Sequence, residues 1–286
     1  MIYEVKNSFS KSKFSLKKIN GKIYVKKTPL KFNKRELLSI KKQNNFKSYI
    51  IHGYKVESAK IVNFNKKKNN FYLVEFFEGK TGDQILLTGN KDEIKILKIF
   101  LNHYFSKKHL SNVDSRNTKL IREKFNKIKK NKKFKKIEGY KEINSFFNKL
   151  IKKKIYKFKN FYCHGDLTLS NIIISKKNKK IILFDFLHTY EDNLLQDFSK
   201  VFQEFNLHWT SRKLDTLDKV RSDIIYKSII DKDFWNKIDP KLTNSLKLEF
   251  LMTILRIVPY ILENDKITFN WISKSVYTIK KFNLNL

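Results

Sequence analysis

Apolar residues in this 286-residue chain recur at two different periods, and the change from one to the other limits the folds open to it. Up to about Asn90 the period is near two. GKIYVKK (Gly21–Lys27) alternates, with Ile23 and Val25 on one face and Tyr24 and Lys26 on the other, as a half-buried strand requires. NFYLVEFFEG (Asn70–Gly79) reads as a second strand that ends at a glycine. Between them NKRELLSIKKQ (Asn33–Gln43) has helical spacing, with Asn33 placed to cap it. From about Lys91 the period is that of a helix. Ile94, Leu97, Leu101 and Tyr104, joined by Phe100 and Phe105, form one apolar stripe; Ile143, Phe146, Phe147, Leu150 and Ile151 form another. Leu194–Phe205 and Leu246–Leu262 also read as helical. The pattern predicts an α+β, bilobal chain: a small β-rich lobe over residues 1–78 and a larger, mostly helical lobe over residues 79–286, changing at Phe77–Gly79.

A shorter pattern interrupts the helical part. IIIS (Ile172–Ser175), KKNKK (Lys176–Lys180) and IILFDF (Ile181–Phe186) read as apolar run, polar turn, apolar run, which is a hairpin. A hairpin folds its two ends together, so Asn171 and Asp185 are expected side by side. Asp166, closing FYCHGD, lies on the chain entering the same point. Two carboxylates and an amide oxygen are hard ligands of the kind Mg²⁺ takes, its shell being completed by water and nucleotide phosphates. A carboxylate left off the metal can accept a proton from an attacking hydroxyl.

The formal net charge of +35 points by itself to a polyanionic partner. Only six of the 62 basic residues are Arg, however, and Arg is the better bidentate reader of phosphate. A chain rich in Lys, Asn, Ile and Phe and poor in Gly, Pro and Arg carries the imprint of an AT-rich genome, so nucleic acid is not the expected partner. KIKKNKKFKK (Lys127–Lys136) reads as a solvated helix or loop, with a polyanion patch as the alternative. The single cysteine, Cys163, excludes an intramolecular disulfide and is expected to be a buried small group. No 18-residue apolar run occurs and MIYEVKNSFS lacks an apolar signal core, so no transmembrane segment is expected and a cytoplasmic protein is. With 41% apolar residues, 25 Phe and 13 Tyr, a sizeable core is available.

His164-Gly165-Asp166-Leu167 with Asn171, then a hairpin and Asp185-Phe186, resembles the catalytic motif of the protein-kinase-like superfamily. Its form is that of the aminoglycoside phosphotransferase and choline kinase family. The resemblance implies Asp166 as catalytic base, Asn171 and Asp185 as Mg²⁺ ligands, and His164 as a brace of the catalytic loop. It implies that Asp197, in LLQDFSK, anchors that loop. It also implies ATP (or another NTP) and Mg²⁺ as cofactors. In the N-terminal lobe it points to Lys26 on its strand, or Lys27 beside it, as the phosphate-neutralising lysine, paired with Glu36 in KRELL. The backbone around Glu75–Phe77 would meet adenine. No G-x-G-x-x-G occurs near the N-terminus, where SFSKSKFS (Ser8–Ser15) takes the place of the nucleotide-covering loop.

Asp197 lies only twelve positions after Asp185, too few for the activation segment of a protein kinase, and no A-P-E follows. The resemblance therefore implies a small-molecule hydroxyl acceptor. Glu191, Asp192, Glu204, Trp209, Arg212 and Asp215 are candidate pocket residues, with Glu204, Trp209 and Arg212 put forward. LHWTSRK (Leu207–Lys213) suits a sugar, an acidic sugar or a phosphorylated metabolite. DFLHTYEDNLLQDFSK (Asp185–Lys200) is similar to phosphotransferases of surface-polysaccharide clusters. The expected function is phosphorylation of a hydroxyl on a sugar, amino alcohol or related metabolite. Two other classes stay open: a pseudokinase scaffold that binds nucleotide without chemistry, and a polyanion-binding protein that uses Lys127–Lys136.

Overall fold

The computed structural model describes residues 12–30, 32–62, 71–106, 113–158, 162–189, 191–230 and 232–284. Residues 8–11 of SFSKSKFS, Asn70 and Phe161 lie outside the described residues. The strands, in chain order, are β1 (Lys13–Ile19), β2 (Lys22–Thr28), β3 (Tyr49–Ile51), β4 (Tyr54–Ser58), β5 (Ile61–Val62), β6 (Tyr72–Glu75), β7 (Lys80–Thr81), β8 (Val113–Ser115), β9 (Tyr156–Phe158), β10 (Ile172–Ser175) and β11 (Lys180–Leu183). The helices are α1 (Lys34–Asn44), α2 (Gly82–Thr88), α3 (Lys91–Tyr104), α4 (Lys119–Lys129), α5 (Tyr140–Ile151), α6 (Leu194–Phe205), α7 (Thr216–Ile229), α8 (Lys232–Asn236), α9 (Thr243–Leu255) and α10 (Lys266–Lys281). The fold is α+β, with sheets in the N-terminal part and helices dominating after it. The chain packs as two compact units: Met1–Gln84 with Leu169–Thr189, and Ile85–Thr168 with Tyr190–Leu286.

The first unit holds two sheets. One, ordered β1-β2-β6-β5, is antiparallel throughout. Its first hairpin turns on Asn20 and Gly21, both at positive φ (46° and 77°), the type I′ geometry that Asn-Gly supplies. The second sheet is ordered β3-β4-β11-β10-β7, and β11 runs parallel to β4. Hairpin β10–β11 belongs to this unit because β11 pairs with β4 and β10 with β7. Its loop is Lys176–Lys179; Lys180 joins β11 opposite Ser175 instead of extending the turn. Gly79, just before β7, allows the close approach to β10: a Cβ there would lie 2.6 Å from the Ile174 carbonyl oxygen. The strand read over Asn70–Gly79 is Tyr72–Glu75 in the structure. α1 begins where Asn33 accepts the Glu36 N–H (3.1 Å), as the sequence predicts. Ile40 of α1 packs with Ile61 and Tyr72, joined by Phe32 and Val74.

The second unit is helical, with β8 and β9 paired as a short ribbon. α3 opens with a capping box between Asn90 and Glu93 and buries Ile96, Leu97, Phe100, Leu101 and Tyr104. α6 is buried along its whole length and packs on α9, where Phe202 stacks on Phe250 with ring centroids 3.9 Å and planes 5° apart. α9 ends at Leu255 instead of running on to Leu262. Pro259 lacks an N–H and disfavours helical backbone before it, and the chain leaves through a 3₁₀ turn at Val258–Tyr260. Lys127–Lys136 covers the end of α4 and a 3₁₀ turn at Lys132–Lys136; Ile128 and Phe134 anchor it, while most of its lysines face solvent. Cys163 is buried. Among the described residues no helix is long and apolar enough to cross a membrane.

Removing the ring of Phe202 leaves a cavity against Phe250. Phe202→Ala is expected to lower the unfolding free energy by roughly 3–5 kcal/mol in urea melts. Lys129→Ala on the solvated face of α4 should change it by less than about 0.5 kcal/mol.

Candidate active site

Strand β2 alternates, so neighbouring lysines look in opposite directions. Lys27 points inward and is 9% exposed. Lys26 points to the other face, where its Nζ lies 4.2 Å from the Phe71 ring centroid. Of the two, Lys27 meets the acidic groups. It pairs across the ladder with Tyr72 of β6, and its Nζ lies 3.9 Å from Glu36 Oε1. The Tyr72 hydroxyl donates to the same carboxylate oxygen at 2.6 Å. Burial, together with the Asp185 and Glu36 carboxylates, keeps the Tyr72 phenol far above its usual pKa, so it stays a donor. Lys27, Glu36 and Tyr72 thus form one partly buried cluster.

Asp185 joins this cluster, because the Lys27 ammonium also contacts its carboxylate. Asp185 has φ +58°, in the left-handed region that Asp tolerates better than most residues. Helix α1 holds the chain that follows it. Gln43 Oε1 accepts the Phe186 N–H at 3.2 Å, and Lys42 Nζ donates to the Leu187 carbonyl at 3.0 Å. Ser39 Oγ accepts the His188 N–H at 2.8 Å, and Arg35 Nε donates to the His188 carbonyl at 2.9 Å. The same helix therefore carries Glu36 and fixes the backbone after Asp185. At the mouth of the β10–β11 hairpin the Phe184 N–H donates to the Asn171 carbonyl at 3.2 Å, so Asn171 and Asp185 lie at the same end, as their sequence placement predicts.

Glu75 ends β6, where its N–H and its carboxylate are both engaged by the Lys60 backbone, each at 3.0 Å. Phe77 lies beyond it with Lys180 Nζ 5.6 Å from its ring centroid. Among the described residues no group of three or more His, Cys, Asp and Glu side chains could hold a metal ion unaided. Asn171 and Asp185 nevertheless offer a hard amide and carboxylate oxygen pair, and Asp185 already attracts the Lys27 ammonium. Such a set fits Mg²⁺, which takes one or two protein carboxylates and completes its shell from phosphate and water.

The second unit holds Asp166 and the groups around it. Gly165 has φ +85°, a turn that glycine makes without strain. Asp197, in the first turn of α6, is fully buried beneath this loop. Its Oδ2 accepts the His164 N–H (2.7 Å) and the Tyr104 hydroxyl (2.7 Å), and its Oδ1 accepts the Gly165 N–H (2.8 Å). His164, also fully buried, accepts the Asp166 N–H on Nδ1 at 3.2 Å, so a neutral ring carries its proton on Nε2. Asp197 thus holds two successive backbone N–H groups of this loop, and His164 holds the N–H that follows them.

The Asp166 carboxylate holds two cations on one oxygen. Oδ1 lies 2.9 Å from Lys200 Nζ and 2.7 Å from Arg256 Nη2. Burial alone would raise its pKa, but Lys200 and Arg256 outweigh that and hold the carboxyl well below the usual range. Burial and the neighbouring Arg256 push Lys200 down, against the pull of Asp166.

Sequence reasoning had named neither Lys200 nor Arg256. For Lys200 a signal exists: it is a lysine on the buried stripe of LLQDFSKVFQEF, one turn beyond Asp197, and such a lysine needs a carboxylate. Arg256 lies 90 residues from Asp166 and has no local signal.

Glu204, Trp209 and Arg212 gather into a cluster of their own. Glu204 accepts the Thr210 hydroxyl at 2.6 Å. The Arg212 guanidinium lies over Trp209, 3.4 Å from the ring centroid, and donates to the Trp209 carbonyl at 2.6 Å. Burial pushes Arg212 down to about 10, against the Glu204 and Asp265 carboxylates. Trp209 meets the Trp271 ring edge-on at 4.9 Å.

No protein-family profile matches the sequence, and no curated protein matches it at significant similarity. Solved structures do match. A protein of Ralstonia eutropha assigned as an aminoglycoside phosphotransferase shares 10% identity at a TM-score of 0.52, over 98% of this chain and 92% of its own. A thermostable mutant of the aminoglycoside phosphotransferase APH(4)-Ia shares 8% identity at a TM-score of 0.54, over 98% and 93%. The ethanolamine kinase of Plasmodium vivax aligns over 98% of this chain and 81% of its own, at 15% identity and a TM-score of 0.48. The α+β fold of this chain is the protein-kinase-like fold found in aminoglycoside phosphotransferases.

Proposed function

We propose that this chain is an ATP- and Mg²⁺-dependent phosphotransferase that phosphorylates a hydroxyl of a small molecule. The observation that carries the reading is Asp166, kept ionised by Lys200 and Arg256 on a loop tied to buried Asp197. Five residues on comes Asn171, at the mouth of the hairpin whose other end is Asp185. The fold shared with aminoglycoside phosphotransferases and the cluster of Lys27, Glu36 and Asp185 support it.

Lys27, rather than Lys26, neutralises charge on the nucleotide phosphates, steadied by Glu36. Asn171 and Asp185 would hold Mg²⁺, which would neutralise charge on the nucleotide phosphates. Asp166 accepts a hydrogen bond from the acceptor hydroxyl and points its oxygen at the γ-phosphorus. As that oxygen bonds to phosphorus, the bond to the bridging oxygen of ADP breaks and the hydroxyl proton passes to Asp166. A carboxylate held below its usual range is a weak base, so orientation is its larger service. That suits a loose phosphoryl-transfer transition state in which the hydroxyl loses its proton late. Glu75 and Phe77 are proposed to flank adenine, and His164 and Asp197 to keep the Asp166 loop in place.

Each role carries an expected outcome. Asp166→Asn should lower turnover by at least about 100-fold while Mg·ATP binding by calorimetry is kept. Lys27→Met should weaken Mg·ATP binding by about tenfold or more, whereas Lys26→Met should leave it within about twofold. Wild-type kcat/KM should show no acid limb from Asp166 between about pH 5 and pH 8, since its pKa lies lower. Because the folded pKa lies below the unfolded value, the stability that Asp166 adds is full above about pH 4 and lost as pH falls through the folded value. NMR titration of the Asp166 carboxyl should show its pKa rising in Arg256→Gln.

A further inference from the structure

On the phosphotransferase reading, we propose that the acceptor is an anionic alcohol, a small hydroxylated molecule that also carries a phosphate or carboxylate group, and that Arg256 binds that group. A guanidinium has five N–H donors in one plane. Arg256 uses Nη2 on Asp166 Oδ1, at 2.7 Å, and no other guanidinium N–H of Arg256 has a hydrogen-bond partner among the described residues. The side chain is 31% exposed, so these donors can be reached from solvent. Its backbone is fixed at the C-terminal cap of α9, where its N–H donates to the Met252 carbonyl at 3.0 Å. A fork suited to bidentate recognition of an oxyanion therefore lies directly beside the carboxylate that would face the acceptor hydroxyl.

The charge around Asp166 favours the same class. Lys200 and Arg256 place two positive groups against one carboxylate, and Lys200 also donates to Gln203 Oε1 at 3.2 Å. The next carboxylate along α6, Glu204, attracts Lys200 but is also engaged by Thr210 and by Arg212, so its charge is shared with a further cation. A cationic acceptor would meet excess positive charge at the reacting carboxylate, whereas an anionic one would complete the pairing of Arg256.

Matched acceptors test this on the full chain: glucose 6-phosphate and glucuronate against glucose, with kanamycin and choline as cations. Binding is read by calorimetry and transfer by ADP release with Mg·ATP. At least one anionic compound should exceed glucose by about tenfold or more in affinity or kcat/KM, the margin of a charge-assisted fork. The better of the two identifies phosphate or carboxylate as the recognised group. Arg256→Gln should remove that advantage and raise the KM of the anionic acceptor more than that of ATP, and Arg256→Lys should restore part of it. Circular dichroism and retained ATP binding establish that the variants fold.

Glucose or a cation binding as well as both anions would overturn the proposal. So would an Arg256→Gln variant that raises the KM of ATP and slows every acceptor alike, because the guanidinium would then serve the transferred phosphoryl group. Failure of the wild type to bind or turn over Mg·ATP would instead remove the phosphotransferase reading, and calorimetry would still report anion binding at Arg256.

Discussion

A carboxylate with no access to water organises the loop that bears Asp166. Asp197 is fully buried, so its charge must be met inside the protein. The backbone N–H groups of His164 and Gly165 and the hydroxyl of Tyr104 meet it. Charge-assisted bonds of this kind are about twice as strong as neutral ones, and breaking them strands a buried ion. The left-handed turn at Gly165 follows from aiming two successive N–H groups at one side chain. His164 extends the constraint by accepting the next N–H, that of Asp166, so the Asp166 carboxylate rests on a chain of fixed bonds. Lys200 departs from the same helix one turn later, and α6 thus supplies both the anchor of the loop and a counter-ion for Asp166.

In the first unit helix α1 has the corresponding place. Its first turn presents Glu36 to Lys27 and Tyr72, and its later turns grip the backbone from Phe186 to His188. A shift of α1 would move Glu36 and the Asp185 segment together. The left-handed backbone of Asp185 is kept by contacts on both sides of it, the hairpin before and α1 after. The candidate residues of each unit are therefore set by helices and a hairpin, not by free loops.

Much of this was legible in the sequence because the signals are local. The change of apolar period marked the β-rich and helical parts, and two isoleucine-rich runs around a polar turn gave the hairpin and its paired ends. The N-cap of α1 was written in Asn33 and Glu36. Where the sequence reading fell short, the cause is non-local. Lys26 and Lys27 differ by one step of strand register, and only the partner strand, with Tyr72 opposite Lys27, decides which faces inward. The extent of α9 turned on Pro259, whose effect reaches back to the preceding turn. Arg256 reaches Asp166 from a distant helix end, and the four α1 side chains that hold residues 186–188 bridge about half the chain; such contacts leave no trace in spacing.

The most direct measurement of the central claim is to supply the protein with Mg²⁺, γ-labelled ATP and a pool of hydroxylated small molecules, and to follow the label by mass spectrometry. A phosphotransferase should move the label onto a hydroxyl of a small molecule and release one ADP for each product formed. ATP bound and left intact, or label found only on protein, would contradict the account.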